Sequence, residues 1–249
     1  MGIAREEQIE GRRPVREALA SGRAIRKLLV ARAARGQLAE IVNLARGRQV
    51  PVQEVDARWL DSIAHSGSHQ GVIALAAVRP TVDVDEILAR ARTRGEAPLL
   101  VLLDGIQDPQ NTGAIIRVAE AAGAHGVILP ARRASGLTPA VARASAGAIE
   151  YLPVAQVTNL TRTITELKRQ GIWVAGADPA GEDLFAADLT PPLAVVIGSE
   201  GRGISRLVRE SCDRLVRVPM SGRVASLNAA TAAAVVLFEI RRRLRRRTG

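Results

Sequence analysis

The side chains most able to do chemistry lie in three separated segments. Asn111 closes "DGIQDPQNTG" (104–113) and Arg117 follows it; Glu200 sits in "GSEGRG" (198–203); Ser226 and Asn228 lie in "VPMSGRVASLNAAT" (218–231). Each segment is crowded with Gly, Pro, Asn or Ser, which supply exposed backbone hydrogen-bonding groups and unusual dihedrals. A loop of that kind can grip a small polar ligand closely. Gly198 would let the backbone approach such a ligand, and Glu200 could accept hydrogen bonds from it. Plainer readings stand beside these. Asn111 or Thr112 can cap a helix, as can Ser226 or Asn228; Arg117 can be an exposed partner of Glu120; and Glu200 can sit in a first helical turn, stabilised by the dipole.

Some chemistry is excluded. The chain has no G-x-G-x-x-G after its strand at 99–103, and no acidic residue at ribose-binding spacing, which disfavours a nicotinamide dehydrogenase. The missing glycine-rich first loop also argues against a Rossmann-type methyltransferase. "GSEGRG" is followed by no Lys or Ser/Thr that could meet phosphate and magnesium, so it is not a P-loop. His65, His69 and His125 lack metal-ligand spacing, and no metal site is expected. Cys212 is the single cysteine. It permits no internal disulfide and reads as a small core residue rather than a nucleophile.

The elements that must position these loops alternate regularly. From Gly11 to Val78, the pattern predicts helices at "RRPVREALAS", "QLAEIVNLA" and "RWLDSIA" and strands at "IRKLLVA", "VPVQEVD" and "GVIALAAV". A second series predicts strands near 99–103, 126–129, 172–176, 193–197 and 214–218. Helices near 112–122, 138–146, 158–170 and 203–210 separate them. Continuous apolar strands such as "LAVVI" imply burial on both faces, hence an α/β fold with a mainly parallel sheet covered by helices. Ligands of such sheets sit beyond the strand C-termini, where the three loops fall. The expected organisation is a small α/β domain over 1–80, a connector over 81–97 committed to neither core, and a catalytic domain over 98–249.

Composition agrees with layered α/β structure. Of the 249 residues, 47% are hydrophobic but only 2% aromatic, so the cores must be built from Leu, Val, Ile and Ala. The formal charge of +10 creates a field that attracts polyanions. "RRRLRRR" (241–247) is open to two readings, a solvated helix end or an RNA contact. The absence of a secretory segment or long apolar span reads as a cytosolic, soluble chain.

The three segments, in order and strand-end position, resemble the signature motifs of the SpoU (TrmH-type) family of SPOUT RNA ribose 2′-O-methyltransferases. "DGIQDPQNTGAIIRVAEAAGAHGVIL", "VVIGSEGRGIS" and "VPMSGRVASLNAATAAAVVLFE" each match. Residues of about 5–78, closing with "HQGVIALA", resemble the family's small N-terminal substrate-binding domain. The resemblance implies a deep trefoil knot in the C-terminal segment, which periodicity cannot reveal, and a homodimer packed about it. It implies S-adenosylmethionine as cofactor, held largely through backbone at Gly176, Gly198, Val218 and Leu227, with Asn111, Arg117, Glu200, Ser226 and Asn228 at catalytic positions. Arg117 is expected beside the cofactor of the neighbouring subunit.

The implied reaction is attack of an RNA ribose 2′-oxygen on a sulfonium methyl, and the subgroup resembled methylates a guanosine in bacterial 23S rRNA. The alternatives are a methyltransferase acting on tRNA or another rRNA site, and a non-catalytic RNA-binding or ribosome-assembly protein that retained the fold. RNA phosphates are expected on Arg12, Arg13, Arg16, Arg23, Arg26 and Lys27 and around Arg132 and Arg133, with strong salt dependence.

Overall fold

The structure, a computed structural model, describes residues 6–65, 67–77, 81–223 and 226–248. The chain runs β1 (Glu6–Glu10), α1 (Arg12–Ala20), β2 (Ile25–Ala31), a 3-10 helix (Arg32–Leu38), α2 (Ala39–Gly47), β3 (Val52–Val55), α3 (Ala57–Ile63) and β4 (Val72–Ala77). It continues through α4 (Val84–Thr93), β5 (Leu99–Asp104), α5 (Pro109–Ala121), β6 (Gly126–Pro130), α6 (Pro139–Ala144), a 3-10 turn (Ala148–Glu150) and β7 (Val154–Val157). Then follow α7 (Leu160–Arg169), β8 (Trp173–Asp183), β9 (Leu193–Gly198), α8 (Arg206–Ser211), β10 (Arg214–Arg217) and α9 (Ala229–Thr248).

Two compact units form. One holds the described residues up to Ala77 together with Leu137–Tyr151; the other holds Thr81–Gly136 and the described residues from Leu152 onward. In the first, the sheet order is β1-β4-β2-β3, with only β2 and β3 parallel. Val15, Leu19, Ile41 and Val42 from α1 and α2 pack with Leu28, Val30, Val72 and Ala74. Leu60 of α3 packs with Leu29, Ala31, Val55 and Ile73, which the strand pleat turns the other way. β1 was not expected: "EEQIE" is mostly charged and presents only Ile9 to that core.

The second unit carries a six-stranded sheet, β10-β8-β9-β5-β6-β7, parallel at every pairing. Leu99–Leu103 are buried without a break, as a strand covered on both faces must be. Leu100, Leu102, Val174, Ala194 and Val196 pack with Leu160, Ile164 and Leu167 of α7 and Val208 of α8. Helices α5 and α9 pack on each other and against β6 and β9 respectively. β7 is a further strand that the short run "VAQV" did not announce.

The connector expected over 81–97 requires correction. Its helix, α4, buries Ile87 and Leu88 in the core of the second unit, because their i,i+1 placement with Ala91 makes one apolar face. Residues 137–151 likewise group with the first unit rather than with the sheet elements that flank them in sequence. Arg23 reaches Glu150 (2.7 Å) and Glu7 (2.5 Å) there, all three largely buried. The strand order is consistent with the knot that the resemblance implies.

Candidate active site

β5 and β9 are neighbours in register, Asp104 opposite Gly198, so the first two loops leave the sheet side by side. The "SEGRG" turn closes on itself: Ser199 N donates to Gly203 O (3.1 Å) and Gly203 N to Ser199 O (2.8 Å). Asp104 ties it down by accepting from Ser205 N at 2.6 Å. A Cβ on Gly198 would lie 2.2 Å from the Gly203 carbonyl carbon, so no other residue fits without moving the turn that carries Glu200. α8 starts only at Arg206, and Glu200 is therefore not in its first turn. The turn comes first and the helix later than the expected 203.

Glu200 instead meets the third loop. Asn228 Nδ2 donates to a Glu200 carboxylate oxygen in a short contact and to Asn111 Oδ1 at 2.8 Å. The same Glu200 oxygen accepts from Ala229 N at 3.4 Å, which sets a carboxylate at the start of α9, where the dipole favours it. Asn228 Oδ1 accepts from Ala230 N (2.9 Å) and Thr231 N (3.2 Å) and so caps that helix. One side chain thus caps a helix with its oxygen and joins two other loops with its nitrogen. Ser226, two residues earlier, is exposed and is not the cap.

The capping expected of Asn111 or Thr112 belongs to Asp108. Its side chain accepts from Gln110 N, and Pro109 takes the first helical position, so α5 begins before Asn111. Asn111 is left free to bond Asn228, while buried Thr112 accepts from Ser135 Oγ at 2.8 Å. The helix ends as expected, with Gly123 at φ 76 just beyond it. Arg117 is exposed on α5 and forms no ion pair with Glu120 among the described residues.

Gly176 ends the first pairing of β8, opposite Leu215 and Val196. A Cβ there would meet Ile204 Cδ1 at 2.9 Å and Leu215 Cδ2 at 3.0 Å, so a larger residue would have to push those side-chain ends aside. Val218 follows β10 directly and Leu227 precedes Asn228; both are half-buried. Among the described residues, 218–223 and 227 make no backbone–backbone hydrogen bonds, leaving donors and acceptors for a ligand.

The comparisons with known proteins decide what this arrangement is. The SpoU rRNA Methylase family matches residues 98–238, more than half of the chain, and a model described as RNA 2′-O ribose methyltransferase substrate binding matches residues 8–81. The chain belongs to the SpoU methylase family. A Bacillus subtilis protein named as a TrmH family tRNA/rRNA methyltransferase is 46% identical over 235 residues, 94% of each chain. The SpoU methyltransferase AviRb of Streptomyces viridochromogenes, solved with AdoMet, is 32% identical with a TM-score of 0.80, covering 98% of this chain and 92% of that one. An AdoMet-bound rRNA methyltransferase of Sinorhizobium meliloti is 28% identical with a TM-score of 0.76, covering 96% and 88%.

This SpoU-family RNA methyltransferase uses several of its charged residues for structure. Arg23 is held by Glu7 and Glu150 and is not available to phosphate, contrary to expectation. Arg12 donates to Gln37 and Arg16 pairs with Glu17 and Glu40, whereas Arg13 is exposed. The arginine run of α9 is also partly structural. Buried Glu239 receives Arg242 (2.7 Å) and Arg243 (2.6 Å), and Arg243 also donates to the carbonyls of Leu184, Phe185 and Ala187. The Arg242 hydrogen bond, opposed by burial and joined by Arg243, holds the Glu239 carboxyl down at about 2. Sequence reading missed this fork, although a lone Glu just ahead of an arginine run, with Arg at i+3 and i+4, is a usable signal. Burial pushes the Cys212 thiol up to about 12, in keeping with a core residue. His125 is buried, with Nδ1 accepting from Leu99 N and Nε2 on Glu96.

Proposed function

We propose that this SpoU-family enzyme transfers a methyl group from S-adenosylmethionine to the 2′-oxygen of an RNA ribose, a guanosine of bacterial 23S rRNA being the first candidate. The observation that carries the proposal is the junction of Asn111, Glu200 and Asn228, one residue from each loop, at the C-terminal edge of a parallel sheet. The 2′-oxygen as acceptor is supported by the match of the N-terminal residues to a ribose-methyltransferase substrate-binding domain. The naming of relatives as tRNA/rRNA methyltransferases favours tRNA as the second substrate reading. Such work places the protein in the cytoplasm.

The residues present fit the cofactor. Gly176, Gly198, Val218 and Leu227 would hold it, and the backbone groups at 218–223 and 227, which make no backbone–backbone bonds among the described residues, are suited to an adenosine and an amino acid moiety. None of Gly176, Gly198, Val218 and Leu227 carries a positive charge, which suits a cationic ligand. When bound, S-adenosylmethionine supplies an electrophilic methyl group on a sulfonium centre.

The protein's part is mainly positioning, which can supply about 7–11 kcal/mol when a weak nucleophile is held in line. Asn228 fixes Glu200 and Asn111 relative to each other, and Glu200 offers its remaining carboxylate lone pairs to substrate hydroxyls or amines. Ser226 adds a hydroxyl to the same rim. Arg117 keeps its proton in essentially any protein environment, so it is not a simple base. Its rigid donor fork holds the adjacent phosphate and stabilises the developing alkoxide, while the proton leaves to phosphate or water. We place Arg117 in the site of a second subunit of a homodimer formed through the C-terminal domain. Its exposure on α5, and the half-exposed Phe238 on the neighbouring α9, support that arrangement.

The test is to incubate the protein with labelled S-adenosylmethionine and unmodified bacterial rRNA or tRNA, then map any ribose methylation. Transfer to a 2′-oxygen is expected. Cofactor binding with no transfer to either RNA would overturn the proposal in favour of a non-catalytic RNA-binding protein.

A further inference from the structure

The loop between β6 and α6 is fastened at both ends. Ala131 N donates to Val157 O at 2.8 Å, and Ser135 N donates to Ile106 O at 3.2 Å. Ser135 Oγ adds a bond to Thr112 Oγ1 at 2.8 Å, and Thr112 is buried beside Asn111 in the first turns of α5. Between these anchors the chain makes a short arch whose side chains include Arg132 and Arg133, both exposed. Neither forms an ion pair or hydrogen bond among the described residues. Arg133 is held at φ 60, a left-handed conformation that a non-glycine residue adopts only at a cost.

Adjacent guanidinium groups without acidic partners repel each other, and here they are held on a braced backbone rather than a loose one. Their second anchor is the loop that delivers Asn111. By contrast, several basic residues of the N-terminal unit are already engaged: Arg12 by Gln37, Arg16 by Glu17, Arg23 by Glu7 and Glu150, and Lys27 by Gln53. Resting on the methyltransferase reading above, we propose that the Arg132–Arg133 arch is a phosphate clamp. It grips the backbone of a single-stranded RNA segment flanking the ribose to be methylated, and Ser135 is the positioning residue that braces it. Two point charges read the sugar-phosphate backbone and not the bases, so the clamp contributes register rather than sequence choice.

The experiment compares the wild-type protein, the Arg132→Gln/Arg133→Gln double variant and the Arg132→Lys/Arg133→Lys double variant. Binding of an unmodified bacterial rRNA transcript is followed from about 50 to about 200 mM salt, with S-adenosylmethionine affinity measured in parallel. Single-stranded contacts contribute about 0.7 each to the slope of log affinity against log salt, so the glutamine variant should lose about 1.4 from the slope. Its deficit relative to wild type then narrows about sevenfold across that salt range. The lysine variant should keep the wild-type slope, and all three should bind S-adenosylmethionine equally, which also verifies folding. An unchanged slope in the glutamine variant would overturn the clamp. Because the slope is read from binding, failure of the wild type to methylate any RNA would count against the methyltransferase reading separately.

Discussion

Replacing Asn228 by serine should separate its capping role from its role in joining the loops. Serine caps a helix about as well as asparagine, whereas alanine at an N-cap costs roughly 1 kcal/mol. For Asn228→Ser, the bonds to Ala230 N and Thr231 N are replaced and α9 keeps its start. The Nδ2 donor is lost, and with it the bonds to Glu200 and Asn111. Water can replace that donor in this exposed network, so the stability cost stays below about 1 kcal/mol, or roughly 2–4 °C in Tm for a unit of this size. Catalysis should suffer more, because Glu200 and Asn111 lose their mutual orientation. A hydrogen bond to a charged group is worth about 1.5–3 kcal/mol, and with about 1.4 kcal/mol per decade this corresponds to a fall in kcat of about 10- to 100-fold. Asn228→Ala should show the same fall together with the capping loss. The assays are thermal unfolding and single-turnover methyl transfer from labelled S-adenosylmethionine. A serine variant with wild-type kcat would refute the reasoning and reduce Asn228 to a helix cap.

Arg117→Lys keeps the charge but removes the bidentate fork, and a pH–rate profile should show a lower rate at every pH; equal rates would remove the fork from the mechanism. Glu239→Gln should destabilise the protein, though by less than breaking a fully buried pair would, since Arg242 is half-exposed and can be rehydrated. The folded carboxyl lies at about 2, below its ordinary value, so this contribution is fully present above the usual carboxylate range and is lost as pH falls through about 2. Denaturant titrations of wild type and variant should therefore converge toward that pH. Cys212, with its thiol pushed up to about 12, should resist thiol reagents near pH 8 until the protein unfolds; rapid labelling of the native state would contradict its burial.

Much of the fold could be read from periodicity. The buried strands β5, β6 and β9 are uninterrupted apolar runs, and a parallel sheet is their simplest consequence. Less regular segments were harder. β1 carries mostly charge, β7 is four residues long, and α4 looks like a connector until its two buried side chains find a core. Helix starts were misplaced where a competing cap existed, as Asp108 with Pro109 showed for α5.

The sequence by itself determined which residue types were available: three loops rich in turn formers, Glu200, Asn111 and Asn228 among their polar side chains, and a surplus of arginine. It could not say how those groups would be shared out. Only the tertiary structure decided that Asn228 would cap one helix while joining Glu200 and Asn111, residues 28 and 117 positions away. It also decided that Arg23 and Arg243 would be consumed by internal partners while Arg132 and Arg133 stayed exposed. The reason is physical: a local pattern sets the conformation of a segment, but the partner of a polar side chain is whichever group the packing of distant strands brings within about 3 Å.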